Sequence, residues 1–355
     1  MNNGNKQIRV GLIGYGLAGA TFHAPVLTTI EGLKLVKVVE RSGRGASQER
    51  YPWVQVVRQS NELYDDPEID LVVITTPSTN HYSFAKEALE AGKHVVVEKP
   101  FTTTAEEAEE LIMLAREKQL MLSVFHNRRW DGDFLTVRQI VKQQMLGRIT
   151  SCEFRWDRYR PDVNKAKWRE TDAAGAGIFY DLGVHFLDQA LMLFGRPETI
   201  RGDIRVLREG GAADDFFDVS LGYPDGLNVR LTSSVLVREA GPRYALHGTE
   251  GSFVKYGIDP QEDALRAGLS PSAAGWGREA EANWGTLNAT VGGLHVVGRV
   301  ETAAGSYASY YRNVYEHLAY GAELEVKPEQ AAATIQLIEH AFQSSREGRT
   351  IHLQG

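Results

Sequence analysis

The stretch Ile8–Gly19, IRVGLIGYGLAG, constrains this chain more than any other. Val10–Ile13 is a short apolar run that reads as a strand, and Gly14-Tyr15-Gly16-Leu17-Ala18-Gly19 follows it as a turn and helix start. In such a strand–turn–helix the first glycine permits the tight turn. The second lets the backbone approach a pyrophosphate, and the third lets the helix pack close to the strand. The helix N-terminus then offers N–H groups and a positive dipole end to phosphates. The pattern alone is weak, but here a strand precedes it and Glu40 follows about 20 residues on, where a carboxylate meets the adenosine ribose. Gly14, Tyr15, Gly16, Leu17, Ala18, Gly19 and Glu40 are therefore candidate dinucleotide contacts.

With 355 residues, 43% of them hydrophobic, the chain can bury two domain cores. A net charge of -7 without a basic tail argues against nucleic acid or an anionic membrane as partner. The single cysteine, Cys152, excludes an intrachain disulfide and Cys-rich metal sites, and it fits a reducing compartment. Met1–Gln7 is polar and lacks the apolar core of a signal peptide. No run reaches the roughly 18 apolar residues of a membrane span. A cytoplasmic location is the expectation.

Beyond the glycine turn, Ala18–Thr29 reads as a helix with Pro25 inside it, and Leu35–Val39 as a second strand ending in Glu40-Arg41-Ser42. Leu71–Thr75 is a continuous β-branched run, the pattern of a parallel strand buried on both faces. His81–Glu90 and Thr104–Gln119 read as helices, His94–Val97 and Leu120–Val124 as strands. The alternation predicts a doubly wound parallel α/β sheet, in which ligands bind outside the carboxyl ends of the strands. The glycine turn, Thr76–His81, Glu98–Pro100 and His126–Trp130 all fall there. Thr76, Pro77, Asn80, His81, Glu98, Lys99 and Asn127 join the candidate cofactor contacts. Lys99, Arg129 and Trp130 are candidate substrate contacts, together with Asp181 and His185 of the second half.

The pattern changes near residue 131. Phe134–Met145 reads as a helix, and Ile149–Arg160 alternates in polarity. Ile200–Leu207, Phe216–Tyr223, Leu227–Leu236, Tyr244–His247 and Ser252–Tyr256 are further strand candidates, so this half is expected to hold a largely antiparallel sheet. Gly257–Trp284, rich in Gly, Ala, Pro and charge, reads as a long loop; Tyr307–Tyr320 and Pro328–Arg346 read as closing helices. Asp181–Phe194 is an almost wholly apolar helix broken by Asp181, His185, Asp188 and Gln189. Asp181, His185 and Asp188 are spaced i, i+4, i+7 and share one face. Asp181 as a helix cap and His185 as a satisfied core histidine is one reading; a catalytic Asp–His pair is the other. A polar stripe on a buried helix needs partners or a ligand, because unpaired buried charge is costly.

GYGLAG, TPSTNH, VVVEKPF, SVFHNRRWD and YDLGVHFLDQ together resemble the Gfo/Idh/MocA family of oxidoreductases over essentially the whole chain. SVFHNRRWD and GSFVKYGIDPQE look most like its scyllo-inositol dehydrogenase-like branch. The resemblance implies a Rossmann domain over 1–126 and an α/β domain with an open-faced sheet over 127–355, whose closing helix packs back on the first. It also implies homodimers or homotetramers, and a cis Lys99-Pro100 bond that turns Lys99 into the cleft. Lys99, Asp181 and His185 are implied as the catalytic group. The implied activity is hydride transfer between NAD or NADP and a secondary alcohol of a sugar or cyclic polyol. His185 would be the base, Asp181 would orient it, and Lys99 would hold the reacting oxygen. No zinc-type ligand spacing is present, so no metal is expected. A non-catalytic dinucleotide-binding regulator and an NAD-using glycosidase are the alternative readings. Glu40 favours NAD by bonding ribose hydroxyls and repelling a 2′-phosphate, whereas Arg41 with Ser42 favours NADP; NAD is placed slightly ahead.

Overall fold

The computed structural model describes residues 6–41, 43–164 and 166–353; Ser42, one half of the expected NADP-favouring pair, lies outside them. The chain folds into two compact units. The first takes in the chain to Trp130, then Gln261–Trp276 and Ser306–Ala333; the second takes in Asp131–Pro260, Gly277–Gly305 and the chain from Thr334.

The first unit holds six parallel strands: β1 (Ile8–Ile13), β2 (Leu33–Val39), β3 (Gln55–Val57), β4 (Leu71–Ile74), β5 (His94–Val97) and β6 (Leu122–Val124). Their order is β3-β2-β1-β4-β5-β6, the doubly wound arrangement expected. β4 is buried along its whole length, which explains its unbroken apolar run. The order reverses between β1 and β4, and the glycine turn leaves β1 at that switch point. The helix after the turn ends at Leu27 rather than Thr29 and is not a plain α-helix. Ala18–His23 is a π segment, and α geometry starts at Ala24 with Pro25 in the first turn, where its missing N–H costs nothing.

The second unit is built on nine strands: β7 (Ile149–Arg155), β8 (Thr199–Arg205), β9 (Phe216–Gly222), β10 (Asn228–Ser234), β11 (Tyr244–Gly248), β12 (Gly251–Lys255), β13 (Gly285–Val291), β14 (Leu294–Val300) and β15 (Ile351–His352). The order is β14-β13-β12-β11-β7-β10-β9-β8-β15, antiparallel except where β10 runs parallel to β7. Sequence reading passed over β13 and β14. Their signal is Gly292-Gly293, both at positive φ, which closes a two-residue hairpin. The expected loop Gly257–Trp284 is also partly regular. It contains the helix Gln261–Arg266 and a short 3-10 turn, Glu281–Asn283. Gln261 anchors this segment: buried, its amide donates to the Trp130 carbonyl at 3.1 Å and accepts from the Tyr307 backbone N–H at 2.8 Å and from Trp276 at 3.0 Å. Among the described residues, no helix is long and apolar enough to cross a membrane.

Candidate active site

In the first unit the chemistry-bearing residues sit at the carboxyl ends of β1, β4, β5 and β6. Gly14 has φ +95°, a conformation open to glycine, and the space where a Gly16 Cβ would stand is empty to 4 Å. A Cβ at Gly19 would collide with the Gly14 carbonyl, so the helix can approach the turn only without a side chain there. Thr75 ties the turn from β4, donating its hydroxyl to the carbonyls of Gly14 at 2.8 Å and Ile13 at 3.1 Å. The turn thus leaves backbone and open space where a pyrophosphate would lie, and its residues fit a dinucleotide. Tyr15 is half-buried beside it, and burial pushes its phenol up to about 12. Leu17 is exposed.

Glu40, at the end of β2, is buried, and its carboxylate accepts the backbone N–H groups of Ala46 at 3.1 Å and Ser47 at 2.7 Å. The side chain is thereby fixed in the loop that follows β2, while Arg41 is exposed. Thr76, Pro77 and Asn80 are half-buried at the end of β4. His81, expected among the cofactor contacts, is turned inward. Its ring nitrogens lie 2.7 Å from the Pro100 carbonyl and 3.0 Å from that of Thr76, bracing the end of β4 against the end of β5. Burial holds its pKa below the ordinary histidine value despite those carbonyls.

The Lys99-Pro100 bond is cis. Lys99 is half-buried and next to buried Glu98. Glu98 meets His23 Nε2 at 3.2 Å, and His23 Nδ1 lies 2.6 Å from the Tyr311 hydroxyl. Burial alone would raise the Glu98 carboxyl, but the His23 hydrogen bond and the charges of His23, Lys99 and His81 outweigh it and hold Glu98 below its ordinary value. At the end of β6, Asn127 is buried. Two of the residues expected to meet substrate, Arg129 and Trp130, make contacts within the fold. Arg129 is buried and donates to the Glu325 carbonyl at 2.7 Å and Gln330 Oε1 at 3.1 Å, and Trp130 packs edge-on against Tyr310. A buried guanidinium must find acceptors, and the segment before the closing helix and the helix's first turn supply them.

In the second unit, Asp181 and His185 lie on one continuous helical segment whose first turn, Phe179–Gly183, is π and whose remainder, Val184–Phe194, is α. The π turn changes the plain α register the spacing implied, a feature frequent at functional sites. His185, Asp188 and Gln189 are buried, whereas the Asp181 side chain is 23% exposed. Two guanidiniums face Asp181: Arg158 at 3.6 Å from Oδ2 and Arg169 at 3.6 Å from Oδ1. Each lies over an indole, Arg158 over Trp156 and Arg169 over Trp168. Sequence reading missed both arginines, because nothing in their spacing points to a residue so distant in the chain. Deeper along the helix, Tyr244 donates to Gln189 at 2.9 Å, and Arg243 lies 4.8 Å from the Phe186 ring centroid and 3.7 Å from Asp133. Among the described residues, no three His, Cys, Asp or Glu side chains group as a metal ion would need.

Residues 8–126 match the family profile described as "Oxidoreductase family, NAD-binding Rossmann fold", and residues 138–353 match "Oxidoreductase family, C-terminal alpha/beta domain". The chain is 41% identical to scyllo-inositol 2-dehydrogenase (NADP(+)) IolW of Bacillus subtilis (strain 168), over 98% of this chain and 96% of that one. It is 42% identical to the uncharacterised oxidoreductase YdgJ of Escherichia coli (strain K12), over 98% and 99% respectively. The solved structure of the oxidoreductase yvaA from Bacillus subtilis superposes with a TM-score of 0.95 at 41% identity, covering 99% of both chains. An oxidoreductase structure from Bacteroides fragilis gives 0.90 at 46%, covering 98% of this chain and 100% of that one. With a glycine turn built for a dinucleotide and both family profiles matched in order, the chain belongs to the Gfo/Idh/MocA family of oxidoreductases and carries its NAD(P)-binding fold.

Proposed function

We propose that this protein is a nicotinamide-dependent dehydrogenase that moves a hydride between its cofactor and a secondary alcohol of a sugar or cyclic polyol, inositol-like in shape. The observation that carries the reading is the presence of an intact glycine turn together with Lys99, Asp181 and His185 in a chain alike over 98% of its length to a scyllo-inositol 2-dehydrogenase. The bound dinucleotide supplies the hydride acceptor or donor.

The chain's own residues do the rest. The ammonium of Lys99 holds the reacting oxygen and stabilises negative charge that develops on it. His185 takes the hydroxyl proton, since an imidazole titrates near working pH. Asp181, one turn before His185, orients it. Arg158 and Arg169 hold Asp181 in place. For the cofactor we propose NAD ahead of NADP, because the Glu40 carboxylate already occupies the amides of Ala46 and Ser47 and would repel a 2′-phosphate there. The NADP(+) in the relative's name supports the second reading. The test is reduced-nicotinamide absorbance with a panel of inositols and aldoses and each dinucleotide. Turnover of at least one member supports the reading, and tight dinucleotide binding without turnover of any supports a non-catalytic regulator instead.

A further inference from the structure

The π turn that carries Asp181 is held from outside its own helix. The Asp214 carboxylate accepts the Phe179 backbone N–H at 2.7 Å, and its backbone carbonyl accepts the N–H of Ile178 at 2.9 Å. Both donors belong to the start of the helix, where N–H groups have no partner within the helix. The residue before them is fitted to the same side chain. Gly177 has φ +91°, and a Cβ there would collide with the Asp214 carboxylate. The glycine just before the helix, Gly177, is thus explained by the passage of an acidic side chain over the backbone.

Asp214 is in turn braced. Its neighbour Asp215 pairs with Arg208 Nε at 2.9 Å and accepts the N–H groups of Leu207 at 2.6 Å and Arg208 at 3.0 Å. Arg208 also meets Glu170 at 3.1 Å. The carbonyl of Arg169, whose side chain faces Asp181, accepts the Gly177 N–H at 3.0 Å. The loop before β9 and the segment 169–181 therefore interlock at one point, two residues ahead of Asp181.

We propose that Asp214 is a positioning residue for the proposed reaction: it fixes the π turn at Ile178 and Phe179 and so sets where Asp181 and His185 stand. This rests on the reading of Asp181 and His185 as catalytic. The geometry has a pH signature. Burial lifts the Asp214 carboxyl from its ordinary value near 3.8 to about 7, with Asp215 adding to the rise and the backbone N–H groups opposing it. The charged group beside it is Asp215, which pairs with Arg208, and Arg208 in turn meets Glu170. Because the carboxyl's pKa is higher in place than in solvent, the segment's stability against opening that exposes it falls as pH rises from about 4 to about 7, burial outweighing the N–H groups that favour the ionised form.

The test compares wild type, Asp214→Ala and Asp214→Asn by hydrogen exchange over 178–183, dinucleotide affinity, and kcat for reduction of NAD, and of NADP in parallel, by scyllo-inositol. Asp214→Ala should speed exchange in that segment and lower kcat about tenfold, the weight of one lost hydrogen bond, with dinucleotide affinity unchanged. Asp214→Asn, which keeps the acceptor, should restore both, and its exchange protection should lose the slope between about pH 4 and 7 seen in wild type. Unchanged exchange over 178–183 in Asp214→Ala overturns the proposal even where scyllo-inositol is not turned over. So does a lowered melting temperature with normal kcat per folded molecule. A His185→Ala enzyme of normal turnover sinks the catalytic reading instead, which separates the two failures.

Discussion

The Thr75 hydroxyl donates to the Gly14 carbonyl at 2.8 Å, joining the end of β4 to the glycine turn that follows β1. The same hydroxyl reaches Ile13 at 3.1 Å, and a Cβ at Gly19 would crowd it. Turn, helix and neighbouring strand are one assembly at the switch point of the sheet. Thr75→Val keeps the shape but removes the donor, leaving a carbonyl turn without its tie. It should destabilise the chain by about 1–3 kcal/mol and weaken dinucleotide binding while both sheets persist. Chemical denaturation and tryptophan-fluorescence titration with NAD and NADP check this; unaltered affinity would mean that the turn holds itself.

Gly16→Val places a side chain in the space left open above the turn, where the pyrophosphate lies in the proposed complex. Circular dichroism should be retained and dinucleotide binding lost. Retained affinity would put the phosphates elsewhere.

His81 gives a pH dependence of stability. Its folded pKa is depressed by burial, so on acidification the unfolded chain takes up a proton near its ordinary value of 6.5 while the folded chain does not. Stability should therefore fall as pH drops below about 6.5. His81→Asn should flatten part of that slope in melting curves recorded from pH 7 to 5. An identical slope in the variant would assign the effect to another group.

Much of the fold was legible in the sequence because its signals are local. β5 and the helix His81–Glu90 stand at the bounds their apolar runs predict. The glycine turn announces β1 and the switch point. That Arg129 and His81 also meet carbonyls of the fold was not legible, because a polar residue at a strand end reads alike whether it faces a ligand or a carbonyl across the core. Arg158, Arg169 and Asp214 reach Asp181 and its turn from distant parts of the chain, and no periodicity records such a meeting. Arg129→Met tests whether these fold contacts are its main role. It should destabilise the chain through the unmet Glu325 carbonyl and Gln330 amide, by about 1–3 kcal/mol, with KM for the polyol unchanged. A raised KM at unchanged stability would return Arg129 to the substrate.

Cofactor choice turns on Glu40. Glu40→Ser removes the carboxylate that fills the Ala46 and Ser47 amides, so kcat/KM should shift toward NADP by about tenfold or more. A preference for NADP in wild type, or no shift in the variant, would overturn the assignment.

The central claim is that His185 and Lys99 carry out proton and charge handling during hydride transfer to a nicotinamide. Its most direct test is kcat for polyol-dependent dinucleotide reduction in wild type, Lys99→Met and His185→Ala, with dinucleotide affinity measured in parallel. Both variants should lose roughly 10²–10⁴-fold in kcat while dinucleotide affinity changes far less; near-normal turnover in His185→Ala across the pH range would contradict the account.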